Sequence, residues 1–342
     1  MKTLSVLFLS LCLWVSGQAQ DSKDLYLTKP LSGETIKNLE VNTSGGSIRV
    51  EDSDAAQSKV EVYVRSGSGR NLAKEELKAR LEEDYDLNIS VAGGKLTVAA
   101  NPKNTQNWKN SLSISFKISL PGNISSRLRT SGGSIHLKGL SGNQEFTTSG
   151  GSLHLDELTG SIQGRTSGGS IHVFNSSDLI DLRTSGGSIE AGNCQGDIRL
   201  ATSGGSIRLD QLKGKVNATT SGGGIDGKSI EGELLAHTSG GSIVLEEIAG
   251  SLDASTSAGG VRADMVSLGK YIKIGTSAGS VNLSLPSGQG MDLRLKANRV
   301  RTGVLNGFSG SAEDDEVEGK LAGGGIPVEV KASAGSISLD WK

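Results

Sequence analysis

Apolar and polar positions alternate in short bursts through the centre of this chain, and the bursts recur every 18 residues. Counting Thr130 as position one, position six is always apolar: Ile135, Leu153, Ile171, Ile189, Ile207, Ile225, Ile243 and Val261. Position eight is usually apolar, as in Leu137, Leu155, Val173, Leu209 and Leu245, with a polar residue between the two. That two-residue spacing predicts a short strand with one buried side. Position eleven is mostly apolar (Leu140, Leu158, Leu212, Ile230, Ile248, Val266), and position thirteen is often glycine, as at Gly142, Gly160, Gly196, Gly214, Gly232 and Gly250, which suits a turn. A second strand then brings in Ile162, Ile180, Ile198, Val216, Leu234 and Leu252. Two strands and two bends are enough for one coil, and one such unit cannot bury its own apolar side, so neighbouring units must supply the core.

The pattern predicts an all-β chain folded as a parallel β-solenoid with about 18 residues per coil. Like strands then stack about 4.8 Å apart, and eight regular coils extend roughly 35 to 40 Å. Each coil opens on the phrase Thr-Ser-Gly-Gly-Ser-Ile/Leu or a close variant, with further copies at Thr43 to Ile48, Thr276 to Val281 and Ala332 to Ile337. The second glycine of the phrase never varies, whereas the first is alanine at Ala258, Ala278 and Ala334. The second site therefore needs a left-handed backbone or has no room for a Cβ.

Outside the array the pattern changes. Strands are expected from Glu40 to Val64, at Leu87 to Val91, Lys95 to Ala99 and Leu112 to Leu120. Residues 71–85 instead carry Leu72, Leu77 and Leu81 on a helical stripe among charged residues, which predicts one amphipathic helix covering an end or edge of the strands. Trp108 lies in a polar connection, where closing a local core outweighs a sugar contact. A two-residue insertion around Lys270 and Tyr271 loosens the array near its end, and the acidic run Glu313 to Glu316 reads as a solvated loop in preference to a calcium site. The expected organisation is a signal peptide over 1–19, N-terminal strands, helix and the start of the solenoid over 20–129, the regular array over 130–285, and irregular coils with a cap over 286–342.

Lys2, the apolar run from Leu4 to Val15 and the small residues Gly17 and Ala19 form a secretory leader pattern, too short for a convincing membrane span. Its removal takes Cys12 and one lysine, leaving Cys194 as the single cysteine and a net charge near −3. No intrachain disulfide is then possible, and the expected location is the periplasm or the outer surface, without a membrane segment in the mature chain. Basic residues form no block, which argues against nucleic acid as a partner. The 49 glycines lack the every-third spacing of collagen.

Candidate chemistry is sparse. His136, His154 and His172 occupy position seven of three consecutive coils, followed by Glu190, and should point outward in one column. Such imidazoles are weak candidates for a transition-metal site if their nitrogens converge near 2 Å from an ion; Arg208, Asp226, Arg262 and Asn282 at the same position favour a merely polar face. The Thr-Ser pairs form a second candidate column of hydroxyls, for carbohydrate or ordered water, against the simpler role of holding the bend. Nucleophile-elbow, phosphate-loop and zinc-protease motifs are absent, and no cofactor is expected. Asp178 and Asp181 are the acidic pair a polysaccharide-processing enzyme would offer, with little specificity among 37 acidic residues.

At Thr43 to Ile48, Thr130 to Ile135, Thr202 to Ile207, Thr238 to Ile243 and Ala332 to Ile337 the chain resembles the exported bacterial family of putative adhesins with repeated Ser-Gly-Gly-x-Ile/Val phrases, whose function is unknown. The resemblance spans roughly residues 40 to 342. It implies a β-solenoid in the cell envelope and supplies no catalytic residues. The expected function is noncatalytic binding or scaffolding, with an envelope carbohydrate or protein as partner.

Overall fold

The structure, a computed structural model, describes residues 24–67, 72–103 and 111–342. The leader and Trp108 lie outside the described residues. Among the described residues the chain is all-β apart from one α-helix, Lys74–Asp84, and a short 3-10 turn, Ala55–Gln57, and the strands join in one 26-stranded sheet.

From Ile135 to Ile243 the strands pair in parallel with their equivalents 18 residues away and without slippage: Ile135, Leu153, Ile171, Ile189, Ile207, Ile225 and Ile243 follow one another in register. All seven are at most 1% exposed, so the inner ladder is continuous. The second strands stack the same way, Ile162 on Ile180 on Ile198 on Val216 on Leu234 on Leu252, all buried. Burial of an Ile or Leu side chain contributes about 1.5–3 kcal/mol, and these columns repeat it in every coil. The ladder tolerates size changes where they compensate. Phe146 occupies the space beside Gly164 of the next coil, where a Cβ would lie 2.1 Å from its ring. Gln144, wholly buried, is satisfied by the Ser126 hydroxyl and the Ile124 carbonyl.

The phrase itself explains how coils sit at sheet spacing. The threonine at position one is buried in every copy, from Thr43 to Thr276. From Thr130 to Thr256 its hydroxyl donates to the carbonyl of the second glycine one coil back and accepts the N–H of the second glycine in its own coil, as Thr148 does with Gly133 at 2.8 Å and Gly151 at 3.2 Å. The second glycine has no positive φ; it is glycine because a Cβ would stand about 2 Å from the carbonyl oxygen of its counterpart below, 2.0 Å at Gly151 and 2.1 Å at Gly187. The first glycine is far less confined, with the nearest atom 3.5 Å from a Cβ at Gly186 and 3.1 Å at Gly240, in keeping with the alanine found at this site in Ala258, Ala278 and Ala334. Position five adds a hydroxyl ladder: Ser134 accepts the N–H of Ser152, and Ser152 that of Ser170.

Left-handed backbone sits elsewhere, at positions ten and thirteen. Position ten is Gly139, Glu157, Asn175, Asn193, Gln211, Ser229 and Glu247, all with φ between 52° and 70°. Position thirteen has φ of 100° to 139° at Gly160, Gly196, Gly214, Gly232 and Gly250, with Asp178 taking the place of glycine at 82°.

The ends correct the picture of a purely parallel stack, because the sheet is mixed. The coil formed by Asn38–Thr43 and Ile48–Asp52 lies directly beside the one containing Ser125–Thr130 and Ile135–Lys138, Thr43 opposite Thr130 and Ile48 opposite Ile135. Between them in sequence the chain leaves to build the outermost layer: Lys95–Pro102 pairs in parallel with Asn38–Thr43, and Leu112–Leu120 with Ile48–Asp52. Antiparallel strands Leu25–Pro30, Lys59–Ser66 and Tyr85–Ala92 complete that end. The helix lies against Lys59–Ser66 and Tyr85–Ala92 and is shorter than the stripe implied; Leu81 is buried and Leu77 half-buried. The C-terminal end repeats the device. Ile326–Trp341 pairs with the coil Val261–Thr276 and Val281–Leu285, while Met291–Thr302 lies outside it and carries the antiparallel hairpin of Phe308–Ala312 and Glu316–Leu321. The acidic run forms the exposed turn and start of that hairpin.

The insertion at Lys270 and Tyr271 is absorbed as irregularities in the pairing of Ile243–Thr256 with Val261–Thr276. Ahead of the insertion the pairing shifts by one residue and back: Met265 stands opposite Ile248 in the core, and Val266, expected inside from its position, is turned out to 49% exposure. Tyr271 reaches back to donate to Glu233 at 2.8 Å, and its phenol is pushed up to about 12 by burial and by that carboxylate.

Candidate functional site

Strands at positions six to nine turn positions seven and nine outward, so coil stacking converts each into a column. Position seven runs His136, His154, His172, Glu190, Arg208, Asp226, Val244. Position nine, beside it, runs Lys138, Asp156, Phe174, Gly192, Asp210, Lys228, Glu246 in the same register.

The three histidines come together as expected. Their rings stack almost parallel, with centroids 4.5 Å apart for His136 and His154 and 5.1 Å for His154 and His172. Nδ1 of His172 lies 3.2 Å from the Glu190 carboxylate. Stacked rings set their nitrogens side by side, and among the described residues no three His, Cys, Asp or Glu side chains gather around a point that a metal ion would fill. A groove of about 580 Å³ runs along this column, bounded by Arg49, Lys138, Asp156 and Phe174. Its charges are engaged: Arg49 with Glu51, Lys138 with Asp156, and Asp156 also with Asn175.

Burial first, then the neighbouring His154 and Arg49, lowers the His136 pKa to about 4; burial, His172 and Arg49 lower that of His154. Groups facing His136 from adjacent coils are thus mostly cationic or neutral. In the unfolded chain an imidazole takes up its proton near pH 6.5, so between that pH and about 4 the unfolded state binds more protons than the folded one. The stability is fully present above pH 6.5 and is lost as pH falls toward 4. After allowance for solvent screening, the expected loss from His136 is about 1–2 kcal/mol. Urea unfolding at pH 7 and 4.5 should show a smaller acid loss for His136→Gln than for the wild type; equal losses would remove this role.

Beyond His172 the columns continue into a second groove of about 430 Å³ lined by Phe174, Glu190, Arg208, Asp210, Asp226 and Lys228, among others. Phe174 is 36% exposed, and its ring covers Gly192, where a Cβ would be 2.8 Å from two ring atoms. Neither feature was evident from sequence; an aromatic residue followed 18 positions later by glycine in an outward column is the signal that could have found it.

The other candidates separate. Because Thr at position one is buried, the hydroxyl column it would share with serine does not face solvent; position two alone does, from Ser131 through Ser257. Asp178 accepts the Gly160 N–H at 3.0 Å, and Asp181 is held by Arg183 at 2.9 and 3.0 Å, so both carboxylates have structural partners. Cys194 is buried, which pushes its thiol up. Among the described residues no helix is long and apolar enough to cross a membrane.

No family model matches the chain, and no curated protein matches it. Two solved structures are similar over most of its length. A putative cell adhesion protein from Clostridium sporogenes shares 11% identity with a TM-score of 0.26, over 92% of this chain and 98% of that one. A putative adhesin from Bacteroides fragilis shares 12% identity with a TM-score of 0.26, over 77% of this chain and 98% of that one.

Proposed function

We propose that this is a noncatalytic binding or scaffolding protein of the cell envelope, a β-solenoid of adhesin type that presents columns of side chains to a carbohydrate or protein. One observation carries this reading: positions seven and nine form two adjacent outward columns in unbroken register across the array. A rigid face with a repeat of about 4.8 Å offers equivalent contacts to a ligand that itself repeats, and simultaneous weak contacts raise overall affinity without any deep pocket. Asp178 and Asp181, the acidic pair weighed for polysaccharide cleavage, are engaged by the Gly160 N–H and by Arg183, which favours binding over hydrolysis. The leader pattern supports export, to the periplasm or the outer surface.

The test is retention of residues 20–342 on a glycan array and on isolated envelope fractions. Concentration-dependent binding that leaves the bound polymer uncut is expected. Absence of retention on both supports, or release of new saccharide ends, would overturn the reading.

A further inference from the structure

We infer that Phe174 and the charged side chains of the coils that follow it form a subsite for a neutral pyranose ring of a glycan; this deepens the proposed function and rests on it. Phe174 opens the subsite. Its ring lies over Gly192, the glycine of the position-nine column, so one aromatic surface spans two coils and remains 36% exposed. In register above it stand Asp210 and then Lys228, and in the neighbouring column Arg208 and then Asp226.

These four side chains differ from those of two neighbouring grooves among the described residues. In the histidine groove the ions are consumed by pairs such as Lys138 with Asp156, and in the groove around Asn38 by Arg127 with Glu145 and Lys95 with Glu40. Arg208, Asp210, Asp226 and Lys228 make no side-chain hydrogen bond or ion pair with any described residue, although opposite charges stand one coil apart. Their donors and acceptors point into one groove beside an aromatic platform, free for a ligand.

The chemistry of that combination selects the ligand. A pyranose has an apolar C–H face and a rim of hydroxyls that both donate and accept. The face is buried against an aromatic ring, and the rim is met by carboxylates and a guanidinium, whose hydrogen bonds are stronger than those of neutral groups. The signs alternate along both columns, Arg208 then Asp226 and Asp210 then Lys228, so neither a polyanion nor a polycation finds a uniform field. An uncharged, hydroxyl-rich ring is the ligand this arrangement fits, and the groove of about 430 Å³ is of small-molecule size.

An aromatic ring over a cross-strand glycine also stabilises a sheet, so the experiment separates binding from folding. Residues 20–342 are titrated calorimetrically with neutral hexasaccharides of glucose, mannose, galactose and N-acetylglucosamine, and with hexagalacturonate as the charged counterpart. At least one neutral hexasaccharide should bind. Phe174→Leu should weaken it by about tenfold or more, Phe174→Trp should retain it, and Arg208→Gln and Asp226→Asn should each weaken it by about threefold or more. The last two variants should keep the wild-type unfolding temperature, since their side chains have no partner in the fold. Binding of hexagalacturonate alone, or neutral binding indifferent to Phe174→Leu and Arg208→Gln, overturns the subsite. So does a protein retained on envelope fractions that binds none of the saccharides, an outcome that leaves the proposed function standing. Failure of envelope and glycan retention together removes both.

Discussion

Gly187→Ala is expected to abolish the ordered stack, while Gly186→Ala, one residue earlier, is expected to be nearly silent. At Gly187 a Cβ would stand 2.1 Å from the carbonyl oxygen of Gly169, and at Gly186 the nearest atom is 3.5 Å away. The clash at Gly187 is with backbone, which cannot rotate aside. Relief requires lifting one coil off the next, and the strands on both sides of the glycine are held at ladder spacing by Ile171 opposite Ile189 and by Ile162 opposite Ile180. Overpacking typically costs about 1–3 kcal/mol where side chains can shift; here the expected cost is above about 4 kcal/mol, because the neighbour is main chain. Gly186→Ala should change stability by less than about 1 kcal/mol, since neither φ nor space opposes it. Chemical unfolding of both variants checks the contrast, with hydrogen exchange locating the defect to the adjoining coils. Similar stability of the two would refute the account of the phrase.

Thr148→Val carries the second-largest expected loss. The hydroxyl of Thr148, a residue 1% exposed, donates to the Gly133 carbonyl and accepts the Gly151 N–H. Valine keeps the shape and leaves a buried donor and a buried acceptor without a partner, each at about 1–3 kcal/mol, so a loss of about 2–4 kcal/mol is expected. Thr148→Ser should recover most of it by restoring the hydroxyl. Ser149→Ala, on the exposed neighbour, should leave the unfolding midpoint unchanged. Were Thr148→Val as stable as Ser149→Ala, the threonine column would have no part in joining the coils.

Much of the coil was legible because it repeats. Ile135, Leu153 and Ile171 fall at one position in each period, and a buried column is the consequence of stacking identical units. The outward column of His136, His154 and His172 follows from the same alternation. Other features were hidden by averaging over the repeat. Position ten is left-handed throughout; Gly139, Asn175 and Asn193 are residues that tolerate that conformation, but Glu157, Gln211 and Glu247 conceal it. Thr148 reads as a surface hydroxyl until its partner one coil away is known. Met265 is buried in place of Val266 because the pairing slips by one residue ahead of the two-residue insertion, and nothing in the order of residues marks that slip.

The sequence by itself determined the period, the buried ladders and the position-seven column facing solvent, because each follows from the chemistry of residues within one coil and is multiplied by repetition. Tertiary structure decided what depends on distances between coils: that the second glycine is required by a carbonyl about 2 Å from where its Cβ would be, that threonine is inside, and that Phe174 rests on Gly192. It also decided the order of layers at the two ends, where Lys95–Pro102 lies outside Asn38–Thr43, and Met291–Thr302 outside Ile326–Trp341. Open ends of a parallel stack expose unpaired backbone and apolar ladders. The chain closes them by running outward, adding antiparallel strands, and returning, a solution set by the need to cover the ends and not by any single residue.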